Sequence, residues 1–266
     1  MRALLKALLP LEVQQFLRQR LGQLGYATQS IIPFDKYEVL TGKIYGAPNV
    51  GWQDPDVATR QWAAFAPALQ EMRDGRLRED FSALLEAVRI TQLECPLVVE
   101  LGCGSAWNSE VLDRFLDTTI RYVGLDYGIE MLKTARATYP GVTALVGDAC
   151  DLPFRSGSID ILVSGTLLMH LLSYQRAIEE SRRVSRRWCI FHTVPLLENR
   201  GTTVLRKVAY GQPTIEVVFN RAELLDLFAA NGLQVRTEID SLPYNLNPVL
   251  GEATVTKTFA CEVVGR

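Results

Sequence analysis

The stretch Leu97-Val-Val-Glu100-Leu-Gly102-Cys-Gly104-Ser-Ala-Trp107-Asn108 decides the fold of this chain. It opens after Pro96 with an apolar, β-branched run, which is typical of a strand covered on both faces in a parallel sheet. Two glycines then allow a tight turn and let the backbone approach a ligand closely. The apolar spacing of residues 108–115 predicts that a helix follows. The stretch therefore predicts a strand, a nucleotide-binding turn and a helix.

Two kinds of ligand compete for such a loop, because dinucleotide sites and S-adenosylmethionine sites both place glycines after a first strand. The dinucleotide fingerprint needs a small residue where this chain has Trp107, since helix and strand pack closely there. Glu100 would also repel a pyrophosphate. A ligand with a sulfonium and an ammonium group tolerates that carboxylate, so the residues favour S-adenosylmethionine.

Strands and helices alternate regularly after this loop, which is the signature of a parallel sheet with helices on both faces. The second predicted strand, 120–125, ends at Asp126, whose carboxylate can accept hydrogen bonds from both ribose hydroxyls. The third, 142–146, leads into Gly147-Asp148-Ala149-Cys-Asp-Leu-Pro-Phe154. The fourth is 159–163. Residues at the carboxyl ends of these strands are expected to line one crevice.

The segment Glu100-Leu-Gly102-Cys-Gly104 resembles the first motif of the class I S-adenosylmethionine-dependent methyltransferases, of the methyltransferase type 11-like group. Ala106 stands where many members have a third glycine. The Gly-Asp turn at 147–148, with Leu-Pro-Phe after it, is similar to the third motif of the family. The resemblance implies S-adenosyl-L-methionine as cofactor and a binding site formed by Glu100, Gly102, Cys103, Gly104, Asp126, Tyr127, Met131, Asp148, Ala149 and Ser164.

The fold class that follows is α/β, with a Rossmann-like, seven-stranded, mostly parallel sheet, helices on both faces and an N-terminal helical extension. Residues 1–90 are predicted to form a helical and loop extension that acts as a lid, and residues 91–266 the catalytic domain. Residues 197–219 are predicted to be an inserted hairpin or cover over the substrate side. Aromatic residues within 29–52 either form part of the lid or anchor an irregular segment to the core.

Both histidines of the chain, His170 and His192, fall just beyond predicted neighbouring strands, the fourth and the fifth. Because ligands in open α/β sheets bind outside the carboxyl ends of the strands, either imidazole could serve as a catalytic base. Alternatively, His170 packs against the cofactor or caps a helix, and His192 is structural. No cluster of carboxylates and histidines has the spacing of a metal site, so no metal is expected.

Bulk composition limits the classes of partner. The 266 residues are 48% hydrophobic and carry a net charge of −2 without a dominant basic tract, which disfavours nucleic-acid binding and favours a small-molecule acceptor. Five scattered cysteines indicate a reduced, cytoplasmic protein. No run is apolar enough to span a membrane. The leucine-rich, basic segment 1–24 predicts a helix docked on the protein, or one in peripheral contact with an anionic membrane.

The predicted function is methyl transfer to a small-molecule acceptor. The extension rich in Tyr, Gly and Trp, together with the Leu-Met-His turn at 168–170, is similar to methyltransferases of bacterial polysaccharide or secondary-metabolite pathways. That resemblance implies O-methylation of a sugar-like or secondary-metabolite hydroxyl. Two alternatives stay open. One is a non-catalytic scaffold that binds S-adenosylmethionine. The other is an NAD-dependent oxidoreductase, in which Trp107 would have to be accommodated where a glycine belongs.

Overall fold

The computed structural model describes residues 37–41 and 49–265. The helix predicted in 1–24 and most of the aromatic loop 29–52 lie outside the described residues. The ten strands in the described part are β1 Glu38–Val39, β2 Leu97–Leu101, β3 Arg121–Asp126, β4 Thr143–Val146, β5 Ile159–Gly165, β6 Ser185–Leu197, β7 Thr203–Ala209, β8 Gln212–Asn220, β9 Leu233–Asp240 and β10 Val255–Val263.

Seven α-helices lie between these strands in the described residues: α1 Pro55–Arg73, α2 Glu79–Ile90, α3 Trp107–Phe115, α4 Ile129–Thr138, α5 Tyr174–Val184, α6 Arg221–Ala230 and α7 Asn247–Leu250. Two short 3₁₀ turns, Asn49–Gln53 and Leu168–His170, also matter for the site. Helix α1 begins at an N-cap, Asp54, whose carboxylate accepts the amide hydrogen of Asp56.

The sheet has a core of seven strands in the order β4-β3-β2-β5-β6-β10-β9, and β10 runs antiparallel to both of its neighbours. The prediction of a mostly parallel α/β sheet is therefore confirmed. The whole sheet is larger than the seven strands predicted, because β1, β7 and β8 extend it beyond β6. Because β2 to β6 are parallel, their carboxyl ends meet at one edge, where the candidate site lies.

Strands β7 and β8 form an antiparallel hairpin within the segment predicted to be an inserted cover. Strand β8 is buried from Thr214 to Asn220, since its two faces pack on different groups of residues. Val217 and Phe219 face the main core, whereas Val218 packs with the loop before β10. The hairpin joins the seven-stranded core through a short parallel pairing of Leu196 with Phe219 and Leu197 with Asn220.

Three local segments differ in detail from what their neighbouring residues predict. The mixed charges of residues 73–80 predict a solvated turn; residues 73–77 are exposed, whereas Asp80 is buried in α2 and pairs with Arg78. Asn220 and Glu223 predict a reciprocal capping box; Asn220 caps α6, but the Glu223 carboxylate accepts hydrogen bonds from Thr202 instead. The loop 241–251 is predicted to return to the crevice edge, and its Tyr244 bonds to Glu216 and packs against the hairpin. Glu223 and Tyr244 thus bond to residues distant in sequence.

Two main clusters of buried side chains fill the opposite faces of the sheet. Trp107, which stands where a dinucleotide site needs a small residue, belongs to the second cluster and stacks on Phe65 of α1 with ring centroids 4.1 Å apart. Helix α1 is therefore held directly against the start of α3, next to the glycine loop. No helix in the described part of the chain is long and apolar enough to cross a membrane.

Candidate functional site

The loop Gly102–Ala106 turns sharply between β2 and α3. Gly102 and Gly104 have φ angles of +65° and +53°, in the left-handed region that glycine tolerates. A β-carbon on Gly102 would also lie 2.8 Å from that of Leu167, so the turn leaves no room for a side chain there. Ala106, at the position of a third glycine in many family members, adopts the same left-handed backbone with φ of 58°. The loop therefore keeps a glycine-like path at a position that lacks glycine.

Asp126 connects this loop to the end of β3. One oxygen of its carboxylate accepts the amide hydrogen of Gly104 at 2.8 Å, and the other accepts that of Gly128 at 2.8 Å. The backbone carbonyl of Asp126 accepts the amide of Gly147, which brings the third motif alongside. Burial raises the pKa of Asp126, and its backbone hydrogen bonds oppose that rise. One carboxylate thus organises the ends of β2, β3 and β4, which together we call the glycine-loop edge.

Glu100 lies beneath the same edge and is 2% exposed. Its carboxylate accepts hydrogen bonds from the Asn108 amide, at 2.7 Å, and from the Tyr122 hydroxyl. Burial raises the pKa of Glu100 to about 7, with a smaller contribution from the charge of Asp126. A β-carbon on Gly165 would collide with the Glu100 carboxylate. Glycine at the end of β5 is therefore what makes room for the Glu100 side chain.

The other predicted cofactor residues surround this edge in different ways. The Cys103 side chain is buried under the loop against Gly124, so only its backbone faces the turn. The Asp148 carboxylate is exposed and accepts the amide of Cys150 at 2.8 Å. Met131 packs with Trp52. Tyr127 is half-buried directly after Asp126, Ala149 is buried after Asp148, and Ser164 is buried at the end of β5.

The ends of β5 and β6, together with the hairpin β7–β8, form a second region that we call the hairpin edge. His170 lies in the 3₁₀ turn after β5, with Nδ1 2.9 Å from the backbone carbonyl of Ile215 in β8. A carbonyl can only accept, so Nδ1 carries the hydrogen and Nε2 is the accepting nitrogen. Burial, followed by the charge of Lys207, lowers the pKa of His170 to about 3. His170 is therefore neutral at physiological pH.

His192 has the contacts of a structural residue. Its Nδ1 lies 2.9 Å from the Thr258 hydroxyl and its Nε2 3.3 Å from that of Thr193. Burial lowers the pKa of His192 to about 4. The backbone is left-handed at Thr193, with φ of 55°, where β6 shifts register against β10. These contacts favour the structural alternative for His192, and its catalytic role stays a prediction.

Trp52 lies between the two edges. Its ring is 4.9 Å from that of His170 and 5.9 Å from that of Tyr210, measured between centroids, and it packs on Met131. Tyr210 and Gly211 form the turn of the hairpin, and both have positive φ angles. The Tyr210 ring nevertheless points inward and is partly buried. An aromatic wall built from the N-terminal side and the hairpin therefore stands over the crevice.

Five buried side-chain atoms lack a hydrogen-bond partner within the described residues: Trp52 Nε1, Gln61 Oε1, Ser105 Oγ, Asn108 Oδ1 and Thr214 Oγ1. Ser105 and Asn108 belong to the glycine loop and the helix start, and Gln61 faces Gly104. Buried polar groups are normally bonded, so such a group of exceptions indicates a ligand. Among the described residues, the donors to the carboxylates of Glu100 and Asp126 are all uncharged. These two carboxylates, together with the unpartnered oxygens of the glycine loop and Gln61, fit a cationic nucleoside such as S-adenosylmethionine.

No group of three or more His, Cys, Asp or Glu side chains in residues 37–41 and 49–265 is arranged to hold a metal ion.

Comparison of the sequence with known proteins agrees with this geometry. Residues 99–191 match the family model of a methyltransferase domain. Over these residues the chain is therefore similar to S-adenosylmethionine-dependent methyltransferases. The matched part of the domain runs from β2 into β6, and so includes the whole glycine-loop edge as well as His170.

Two curated relatives and one solved structure illustrate the similarity of the methyltransferase domain. "Probable S-adenosylmethionine-dependent methyltransferase" of Mycolicibacterium smegmatis is 29% identical over 138 residues, 52% of each chain. Demethylmenaquinone methyltransferase of Paenarthrobacter aurescens is 29% identical over 89 residues, 34% of each chain. A SAM-dependent methyltransferase from Aquifex aeolicus aligns with a TM-score of 0.52 at 12% identity, over 79% of this chain and 99% of that one. The chain spans about half the length or less of these curated relatives.

Sequence reasoning did not single out Gln61 or Tyr210 as site residues of the methyltransferase domain, and it named Trp52 only within an aromatic loop. Gln61 lies in a helix with no motif, and a tyrosine at a hairpin turn is ordinarily exposed. A cluster of aromatic residues before the first strand of the domain was the one available signal. The positions of Gln61 and Tyr210 depend on tertiary packing.

Proposed function

We propose that this chain is an S-adenosylmethionine-dependent methyltransferase that transfers a methyl group to a small-molecule acceptor. The observation that carries the proposal is the arrangement around Asp126. Its carboxylate accepts hydrogen bonds from the amides of Gly104 and Gly128, and Glu100 lies close by without a cationic partner. Such a site attracts a positively charged nucleoside and repels a pyrophosphate.

In this proposal the glycine-loop edge binds the cofactor and the hairpin edge binds the acceptor. Bound S-adenosylmethionine supplies an electrophilic methyl carbon on a sulfonium, so the protein needs mainly to align an acceptor with it. Alignment in a dry site can contribute roughly 7 to 11 kcal/mol toward lowering such a barrier. Asp126, Asp148 and Met131 would hold the nucleoside. Trp52 would cover it, which agrees with a lid formed by residues N-terminal to the domain.

The hairpin edge supports an uncharged acceptor. Cations near it are already paired: Arg60, which donates to the Tyr210 carbonyl, pairs with Asp56. Arg78 makes a bidentate contact with Asp80, and buried Lys207 pairs with Glu216. What the edge offers instead is a set of neutral groups, namely His170, the indole N–H of Trp52 and the hydroxyl of Thr214. Neutral donors and acceptors beside aromatic rings suit a hydroxylated molecule. We therefore propose O-methylation of a sugar-like or secondary-metabolite hydroxyl.

His170 is better suited to orient the acceptor than to deprotonate it. A general base works best when its pKa lies near the working pH, and the pKa of His170 is lowered to about 3. With Nδ1–H bonded to the Ile215 carbonyl, Nε2 is the ring nitrogen that presents a lone pair. We propose that the acceptor hydroxyl donates to Nε2, which points an oxygen lone pair at the methyl group. As the C–O bond forms and the sulfonium C–S bond breaks, the hydroxyl becomes a strongly acidic oxonium, whose proton passes to Nε2.

A second candidate acceptor is a planar quinol. The rings of Trp52 and Tyr210 offer a surface against which a flat ring could stack. One of the matched relatives is named demethylmenaquinone methyltransferase. The hydroxylated acceptor and the quinol are different substrates, so one turnover assay with both kinds of molecule distinguishes them.

The test has a binding step and a turnover step. Titration calorimetry with S-adenosylhomocysteine and with NAD should show binding of the first and none of the second. Release of S-adenosylhomocysteine from S-adenosylmethionine is then measured with a panel of sugars, phenols and quinols. Binding of NAD alone would support the oxidoreductase alternative. Binding of S-adenosylhomocysteine with no turnover across the panel would support the scaffold alternative and contradict the proposed enzyme.

A further inference from the structure

Gln61 lies on helix α1, outside every sequence motif of the methyltransferase domain, yet its side chain reaches the glycine loop. A β-carbon on Gly104 would lie 3.3 Å from Oε1 of Gln61. This oxygen is buried and accepts no hydrogen bond from any described residue. Helix α1 is fixed in this position because Phe65, one turn further along, stacks on Trp107 at the start of α3. The amide oxygen is thus held rigidly over the turn that follows β2.

The charge around the turn indicates which group this oxygen would meet. Burial raises the pKa of Glu100 and of the Cys103 thiol, and the charge of Asp126 adds to both shifts, so these groups lie close together. The hydrogen-bond donors to these two carboxylates are a tyrosine hydroxyl, an asparagine amide and two backbone amides. No cation balances them among these partners, so a cationic ligand group is favoured at the turn.

The ligand of the proposed function has two such groups, and only one of them is a hydrogen-bond donor. The ammonium of the amino-acid end carries three N–H donors, which need three acceptors when water is excluded. A sulfonium has none. An unpartnered carbonyl oxygen over the glycine loop is an acceptor of the required kind, and the unpartnered Ser105 hydroxyl lies in the same turn.

We infer that the side-chain carbonyl of Gln61 binds the ammonium of the amino-acid end of S-adenosylmethionine, which makes helix α1 part of the cofactor site. The inference rests on the proposed function, since it assigns a residue to the same cofactor. It adds a contact from the region before the domain to the cofactor site. A ligand that lacks the amino-acid end would not make this contact.

The experiment compares two ligands that share the adenosine and differ in the amino-acid end: S-adenosylhomocysteine, which has it, and 5′-methylthioadenosine, which lacks it. Dissociation constants are measured by titration calorimetry for the wild-type chain and for Gln61→Leu. Loss of one charge-assisted hydrogen bond should weaken the binding of S-adenosylhomocysteine by about tenfold. Binding of 5′-methylthioadenosine should change by less than about twofold.

Two further variants serve as controls. Gln61→Glu keeps an acceptor oxygen and should keep S-adenosylhomocysteine within about threefold of the wild-type affinity. Gln70→Leu alters a glutamine of the same helix whose exposed amide bonds to Asp74, and it should leave the affinity for both ligands unchanged. Thermal unfolding of each variant confirms that it is folded.

The outcomes separate this inference from the proposed function. If Gln61→Leu weakened the binding of both ligands equally, the amide would lie against the adenosine and the inference would be overturned. An unchanged affinity for both ligands would also overturn it. In both of those cases the wild-type chain still binds S-adenosylhomocysteine, and the proposed function stands. A wild-type chain that binds neither ligand would overturn both.

Discussion

The glycine-loop edge and the hairpin edge lie side by side but are built differently. The glycine-loop edge uses consecutive motif residues, and its main links are backbone amides bonded to one carboxylate, Asp126. The hairpin edge collects side chains from separate parts of the chain, among them Trp52, His170 and Tyr210. Carboxylates dominate the first, and aromatic rings with neutral polar groups dominate the second. The contrast matches the proposed function, with a cationic cofactor on one side and an uncharged acceptor on the other.

The largest expected effect comes from breaking the glycine-loop edge at Asp126. Asp126→Ala removes the acceptor for two buried amides as well as the proposed ribose contact. Affinity for S-adenosylhomocysteine should fall by at least about 100-fold, since hydrogen bonds to charged groups contribute roughly 1.5 to 3 kcal/mol each. Titration calorimetry measures the loss. Asp126→Asn, which keeps one acceptor oxygen, should give an intermediate value, and an affinity unchanged in both would contradict the assigned role of this edge.

At the hairpin edge the expected effect falls on turnover instead. His170→Ala should lower turnover by about tenfold or more, as expected for loss of an orienting contact, and leave affinity for S-adenosylhomocysteine unchanged. The pKa of about 3 implies that His170 does not titrate between pH 6 and 8, so it should add no inflection to the turnover profile there.

Two matched variants of His170 separate a contact with the acceptor from a purely structural bond to the hairpin. His170→Gln places an acceptor near the position of Nε2, whereas His170→Asn places a donor near that of Nδ1 and can keep the bond to Ile215. Rescue of turnover by Gln and not by Asn is expected. The reverse result would make His170 an anchor for β8 and remove it from the acceptor site.

Glu100 provides a pH test of the glycine-loop edge. A cationic ligand lowers the raised pKa of Glu100, so affinity for S-adenosylmethionine should rise with pH by up to about tenfold per unit and level off above about pH 7. Glu100→Gln should abolish this dependence. Calorimetry at several pH values measures it, and an unchanged slope in the variant would assign the titration to another group.

The same carboxyl also affects folding. Its pKa is higher in the folded chain than in the unfolded one, so the folded state binds more protons and stability falls as pH rises from about 4.5 through about 7. The shift from 4.5 to about 7 corresponds to a few kcal/mol, on the order of 3. Urea unfolding of the ligand-free protein should show this decline, and Glu100→Gln should flatten it.

The smallest effect is expected at Ala106. Its left-handed backbone costs an alanine roughly 1 to 2 kcal/mol that glycine does not incur. Ala106→Gly should therefore destabilise the protein by about 1 kcal/mol less than Ala135→Gly, which alters an equally buried alanine inside helix α4. Urea unfolding compares the two. Equal losses would show that the loop carries no such strain.

The sequence predicted the glycine-loop edge well because its information is local. A β-branched run, two glycines and single acidic residues at strand ends specify β2 to β4 almost residue by residue. The central sheet was also predictable, since each parallel strand is a short apolar run followed by a helix. Even Trp107 was informative, because its bulk argued against a dinucleotide and its ring is indeed packed on α1.

The hairpin edge was predictable only as a segment. Strand runs around Gly211 indicated a hairpin, but nothing local shows that Tyr210 turns inward or that His170 bonds to Ile215. Those contacts join residues far apart in sequence, and their geometry depends on how β8 pairs with β6. The same cause explains the error at Glu223, where Thr202, distant in sequence, replaced the cap expected from neighbouring residues.

The hairpin is joined to the central sheet by only two paired positions, Leu196 with Phe219 and Leu197 with Asn220. The side of the hairpin that faces away from the main core buries the ion pair of Lys207 with Glu216, which Tyr244 contacts. A unit whose backbone pairs with the central sheet so briefly can be lengthened, shortened or exchanged during evolution while the strands that hold the nucleoside keep their register. Divergence of what such enzymes modify would then require new hairpins, with the methyl-donor half inherited intact.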